Sequence, residues 1–255
     1  PAFKEIGFIE FFNSADWNPT SYSEPSYGIL AQVYSTFLVT LGAMLIAVPL
    51  GIATAAYIAE VANPTVKSIL KPVIEILAGI PSVVIGFLGI VVVGPAIAEI
   101  FNLSNGLNAI NGAVLLSIMS LPTIVSLSED AISSVPSEYK SASVGLGANR
   151  WQTLIRVTIP SSLSGIIASI MLGMGRAIGE TMTVLMATGN APALPGSIFD
   201  SVRTMTATIA IELGEVPFNT THYYALFAVG LILFVMTFVV NLVADIILHK
   251  YQEVE

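Results

Sequence analysis

Arg176 and Glu180 stand four residues apart inside the otherwise apolar run Leu163–Ala187. A guanidinium offers charge-assisted, forked N–H donors that match a tetrahedral oxyanion. A nearby carboxylate accepts the hydrogen bond of a protonated oxyanion and repels a fully deprotonated one. On one helix the two residues share a face. An isolated Arg at the centre of a membrane helix costs about 3 kcal/mol or more, so such residues usually face a bundle interior or an aqueous path. The pair is therefore read as part of a substrate pathway, with Thr181 beside it. An alternative is a purely structural pair that ties helices together. Glu75, at the edge of another apolar run, carries the same choice: a pathway carboxylate, or a snorkelling one paired with Lys71 four residues before it. Gly173, Gly175 and Gly179 surround the pair, and Gly175 with Gly179 gives the small-xxx-small spacing that lets helices approach closely.

No other chemistry is written in the chain. It has no cysteine, and its two histidines, His222 and His249, fall at the edges of apolar runs, as interfacial side chains would. Metal-protease, serine-hydrolase and nucleotide-binding loop motifs are missing. No catalytic residue, metal site or resident cofactor is expected.

The elements that must position these residues are membrane helices. Hydrophobic residues make up 55% of the chain and charged residues 10%, against about 25% charged in a soluble domain. A span needs about 20 mostly apolar residues, and lipid offers no partner for backbone polar groups, so each span is helical. Five segments qualify: Ile29–Ala59, Ile76–Ala98, Ala113–Leu127, Leu163–Ala187 and Tyr223–Ala244. The fold class is an all-α integral membrane helix bundle. Six of the nine cations (Lys67, Lys71, Lys140, Arg150, Arg156, Lys250) fall on one side of that topology, while Lys4 and Arg203 fall on the other. The positive-inside rule places the first set in the cytoplasm. The chain then divides into an external segment, 1–27, and a transmembrane domain, 28–255, with a cytoplasmic loop over 128–160. An external start without a leader predicts a further helix upstream, making six spans.

Within that loop, Ser141–Pro160 reads SASVGLGANRWQTLIRVTIP. Its spacing resembles the "EAA" loop of bacterial ABC importer permeases: Ser141, Ala142 and Ser143 at the E-A-A positions, Gly147 at the glycine, and Val157, Ile159 and Pro160 closing the pattern. The family's Glu is replaced by Ser141. The run Gly175–Asn190, GRAIGETMTVLMATGN, resembles the penultimate-helix motif of phosphate-specific ABC permeases of the PstC type. Trp17-Asn18-Pro19, Ala47–Gly51 (AVPLG) and Gly79–Ser82 (GIPS) fit the same family. The resemblance implies a type I ABC importer permease fold and a subunit that imports inorganic phosphate. It implies a second permease subunit (PstA-like or identical), two ATPase subunits at the cytoplasmic loop that bind the ATP and magnesium, an external phosphate-binding protein, and surrounding lipid. No nucleic acid is expected. It makes Pro136–Asn149 the site of the coupling helix, with a glycine-rich turn at Gly145–Gly147. Other readings are a permease for molybdate, tungstate or sulfate, and a non-transporting membrane scaffold or sensor.

Overall fold

The computed structural model describes residues 6–21 and 24–252, with Ala244 and residues 247–252 as backbone only. Lys4 and the side chains of His249 and Lys250, used above for orientation, lie outside the described residues. Among these residues the chain is helical apart from one short hairpin, β1 (Trp17–Asn18) against β2 (Ser26–Tyr27).

In chain order the helices are α1 (Phe8–Asn13), α2 (Leu30–Ala56), α3 (Pro64–Ala78), α4 (Ser82–Leu88), α5 (Gly94–Phe101), α6 (Ala109–Ser133), α7 (Ser137–Gly145), α8 (Arg150–Thr153), α9 (Ile159–Ser161), α10 (Leu163–Gly179), α11 (Met182–Ala187), α12 (Met205–Glu212) and α13 (Thr221–Gln252). Widened π-helical turns at Tyr57–Val61, Gly89–Val93 and Leu154–Thr158 extend α2, join α4 to α5 and join α8 to α9. Two of the three have a clear cause. Gly94 and Ile159 each donate to the carbonyl five residues back, Gly89 and Leu154, and each is followed by a proline. Proline has no N–H and its ring crowds the carbonyl four residues back. A wider turn just before it relieves that clash.

Four helical stretches are long and apolar enough to cross a membrane: Leu30–Val61, Ser82–Phe101, Ala109–Ser133 and Thr221–Val243. Arg150–Ser161 with Leu163–Gly179, bent by 68° between them, makes a fifth. The second span thus starts at Ser82, not near Ile76. Gly79 closes α3 and Pro81 caps α4, and the residue before a proline is disfavoured in a helix. The fourth apolar segment is helical over Leu163–Gly179, with Met182–Ala187 as a separate short helix. Leu231, Phe234 and Phe238 of the last span are exposed, as suits lipid or a neighbouring membrane subunit.

The chain forms two compact units. One comprises Pro1–Ala43, Pro81–Leu116 and Ala177–Phe238. Its core gathers Phe11, Trp17, Ile29, Met205, Leu226 and Val229. The other comprises Met44–Ile80, Ser117–Arg176 and Val239–Glu255, with a core of Ala55, Ile58, Val125, Ile132, Leu154 and Ile166. In this second unit α10 lies close against α6. A Cβ added at Gly173 would stand 2.8 Å from Ile124 Cγ1, and one at Gly165 would strike the Ala131 methyl. The close-approach glycines are therefore Gly165 and Gly173. Gly175 makes only ordinary contact and Gly179 meets nothing within this chain, so neither is a close-approach glycine between its own helices.

Candidate functional site

Arg176 sits in the last turn of α10. A cation there complements the negative end of the helix dipole. Its side chain is exposed, and NH1 donates to Thr123 Oγ1 at 3.4 Å, a long bond. No ion pair to it occurs among the described residues. The helix stops at Gly179, so the helical i, i+4 relation expected between Arg176 and Glu180 does not hold. Glu180 occupies the break and works locally: its Oε1 accepts from the Thr183 amide at 3.2 Å, and its carbonyl accepts from Thr206 Oγ1 at 2.8 Å. Thr181 Oγ1 donates to the Gly179 carbonyl. Thr183 Oγ1 reaches the Ser82 carbonyl at 3.1 Å. Side-chain oxygens thus satisfy backbone groups that the broken helix leaves open.

Glu75 lies on α3 and is exposed. The partner once considered for it, Lys71, is engaged elsewhere. Lys67 and Lys71 both close on Glu129 of α6 at 2.6 Å, and Lys71 also meets Asp130. The Glu129 side chain is only 2% exposed, and Ser133 Oγ donates to it as well. A carboxylate so deeply buried is tolerated because it is paired and hydrogen-bonded. The Glu129 carboxylate in turn holds the Lys71 ammonium above the ordinary lysine pKa. That contribution is full below the ordinary value and is lost only as pH rises through the raised one. α3 itself has no fully buried residue; these ion pairs hold it against α6, and the half-buried Leu70 and Ile74 pack against the second unit's core.

The loop between α6 and α10 carries α7, an exposed helix bearing Ser141, Ala142 and Ser143. Ser141 and Ala142 point outward, while Ser143 Oγ meets Thr153 Oγ1 at 3.0 Å. Lys140 binds Glu60 of the first π-helical turn at 2.5 Å. Gly147 has φ +89°, and nothing lies within 4 Å of where its Cβ would be. Its conformation, not close approach, requires glycine. Asn149 then starts α8 with a capping box shared with Gln152. Pro160 is exposed on α9, just before the 68° bend. Leu146 is 91% exposed and Trp151 63%. Beside Val144 they leave an apolar patch that only another surface would cover.

A second cluster was not legible as a site. Glu212, at the end of α12, accepts from Trp17 Nε1 (3.0 and 3.1 Å), Arg203 NH1 (2.9 Å) and His222 Nε2 (2.8 Å). Arg203 Nε also donates to the Asn190 carbonyl. A cavity of about 440 Å³ opens beside them, rimmed by Pro19, Pro192 and Pro217. His222, dismissed above as an interfacial side chain, is part of this staple. The signals available were the lone cation Arg203 and three carboxylates, Asp200, Glu212 and Glu215, in a long connection. Nothing in their spacing says that they meet.

A family model described as "Binding-protein-dependent transport system inner membrane component" matches residues 47–252. The chain belongs to that family. The permease is 43% identical over 230 residues (90% of this chain, 74% of the other) to the probable ABC transporter permease protein YqgH of Bacillus subtilis (strain 168). It is 36% identical over 268 residues (98% and 80%) to the phosphate transport system permease protein PstC of Mesorhizobium japonicum. Among solved structures, the permease resembles a chain of the inward-facing MetNI methionine ABC transporter, with TM-score 0.67 at 16% identity over 88% of this chain and 95% of that one. It also resembles a chain of a bacterial ABC transporter that imports alginate, with TM-score 0.66 at 19% identity over 98% and 86%. The fold is that of the ABC importer permeases, and the permease is a multi-pass inner-membrane protein.

Proposed function

We propose that this permease subunit, with a second permease subunit, forms the translocation path of an ATP-driven inorganic phosphate importer. Two ATPase subunits would dock on the α7 loop, and an external binding protein would deliver the phosphate. ATP and magnesium would be held by the ATPases. The observation that carries the substrate reading is Arg176: an exposed guanidinium in an apolar helix, with one long bond to Thr123 and no carboxylate on it among the described residues. Its free fork suits an oxyanion. The Gly175–Asn190 motif and the similarity to a protein named PstC support phosphate over other oxyanions. Glu180, Thr181 and Glu75 are proposed as further pathway residues, and Ser141, Ala142, Ser143, Gly147 and Pro160 as coupling residues.

The test is uptake of labelled phosphate into vesicles bearing the assembled complex, with sulfate and molybdate as competitors. Arg176→Gln should abolish uptake while the complex still assembles, and Arg176→Lys should restore only part of it. Equal displacement of phosphate by sulfate or molybdate would reassign the substrate. Normal uptake by Arg176→Gln would remove Arg176 from the path.

A further inference from the structure

α7 buries none of its residues. Apolar packing therefore does not hold it. Two of its side chains reach out of the helix. Lys140 closes on Glu60 at 2.5 Å, with both side chains about a quarter exposed. Ser143 hydrogen-bonds Thr153 at 3.0 Å. One contact lands on a π-helical turn and the other beside one: Glu60 lies within Tyr57–Val61, and Thr153 ends α8 just before Leu154–Thr158. Such turns have one loose register in an otherwise regular ladder and recur at functional sites. Beside the Lys140–Glu60 pair lies a cavity of about 290 Å³, lined also by Val144, Arg150, Trp151 and Leu154. Open space therefore lies beside the helix, and its two polar ties run to one widened turn and to the entry of another.

We propose that Lys140 and Glu60 are the positioning pair through which α7 moves the membrane helices, with Ser143–Thr153 as a second, weaker tie. The pair is a joint and not a brace. A brace would set how stably the loop folds. A joint sets how much transport each ATP hydrolysis yields. The proposal rests on α7 as the surface where the ATPase docks, and it adds which residues carry the motion onward. Ion pairs of this kind suit the task, since a partly exposed pair holds a direction without the rigidity of a packed core.

The experiment uses the full complex in vesicles and measures three quantities: ATPase retained on the permease, ATP hydrolysed, and labelled phosphate imported. Lys140→Glu and Glu60→Lys should each retain the ATPase and still hydrolyse ATP, but import about fivefold less phosphate per ATP, within the range over which contacting residues couple. The charge-swapped double variant should recover most of that ratio. Lys140→Gln with Glu60→Gln is the milder pair should either charge reversal fail to fold, and it should lower the ratio without loss of assembly. An unchanged ratio in both single variants overturns the joint, as does a double variant that recovers nothing. A wild-type complex that retains no ATPase refutes docking at α7, and the joint with it. Good coupling to an oxyanion other than phosphate corrects the substrate and leaves the joint supported.

Discussion

Gly147 gives the sharpest test of the α7 loop, because two explanations for a glycine there predict different outcomes. One is contact: any side chain would obstruct a docking partner. The other is conformation. The structure supports the second, since φ is +89° and no contact within the chain itself excludes a Cβ. For an ordinary L-residue the left-handed region costs about 1–2 kcal/mol, and for a β-branched one it is a true outlier. Asparagine tolerates it far better, and among the described residues the positive-φ positions outside glycine are Asn102, Asn190 and Asn219. The series Gly147→Asn, →Ala, →Val should therefore lose ATPase stimulation progressively. Asn should stay within about threefold of wild type, Ala should fall by about tenfold as 1.4 kcal/mol implies, and Val should fall further. All three should insert in the membrane at wild-type levels, because the turn is exposed and no core is touched. The assay is ATP hydrolysis stimulated by loaded binding protein, normalised to permease in the membrane. If Asn and Val lose activity equally, contact is the cause and the conformational argument fails. If none of the three changes activity, the loop has no coupling role.

Four further outcomes follow from particular contacts. Gly173→Val should cost about 1–3 kcal/mol by overpacking against Ile124, whereas Gly179→Ala, which meets nothing, should leave the detergent-solubilised melting temperature unchanged or raise it; the reverse order would refute the packing described for α10. Glu129→Ala should cost about 1–2 kcal/mol by removing the shared partner of Lys67 and Lys71, which are more than a third exposed and regain water, and faster proteolysis within Pro64–Ala78 would report it; Glu75→Ala should do nothing of the kind. Glu212→Ala should loosen the connection between Asn190 and Met205, measured as faster amide exchange there, because Arg203 and His222 lose their common acceptor. Glu180→Gln keeps an oxygen able to cap the Thr183 amide, so it should fold normally and change only uptake. Glu180→Ala should destabilise as well, and equal melting temperatures for the two would show that the cap contributes nothing.

The spans were legible because long, predominantly apolar runs have one stable conformation in lipid. Their ends were less so. Glu75 looked like the foot of a span because the apolar run begins beside it, yet Gly79 and Pro81 cut the helix there and leave α3 outside. The turn at Gly147 was readable from glycine alone, though not the reason for it. The break at Glu180 was not, since Gly-Glu-Thr inside an apolar run carries no stop signal and Arg176 with Glu180 sits at ideal helical spacing. The ion pairs were invisible for a different reason. Lys67 is 62 residues from Glu129, and Lys140 is 80 from Glu60. A cation count sees such residues as markers of sidedness and cannot see which carboxylate each will find. Trp17 stood out only as part of the Trp17-Asn18-Pro19 motif, but its indole spans 195 residues to reach Glu212.

The residues with a proposed role collect where helices are imperfect, and the physics of the membrane explains why. An unbroken helix in lipid uses every backbone group internally and presents only side chains. It has no register to change and no backbone group to offer. Each defect must be made good by a side chain, and that side chain then becomes sensitive to movement. At Glu180 the repair is a carboxylate and two threonines. Proline marks the π-helical turns at Gly89–Val93 and Leu154–Thr158. At Tyr57–Val61 the widened turn presents Glu60 to Lys140. Prolines inside the longest helices, Pro49 and Pro122, leave α2 and α6 continuous, so proline alone does not mark a functional break. What distinguishes the others is a polar side chain from a distant part of the chain that meets the backbone or the charge at the defect. In an apolar chain with one charged residue in ten, such side chains are scarce, and their placement at the breaks is what ties a flexible point in the helix to a surface that a partner can move.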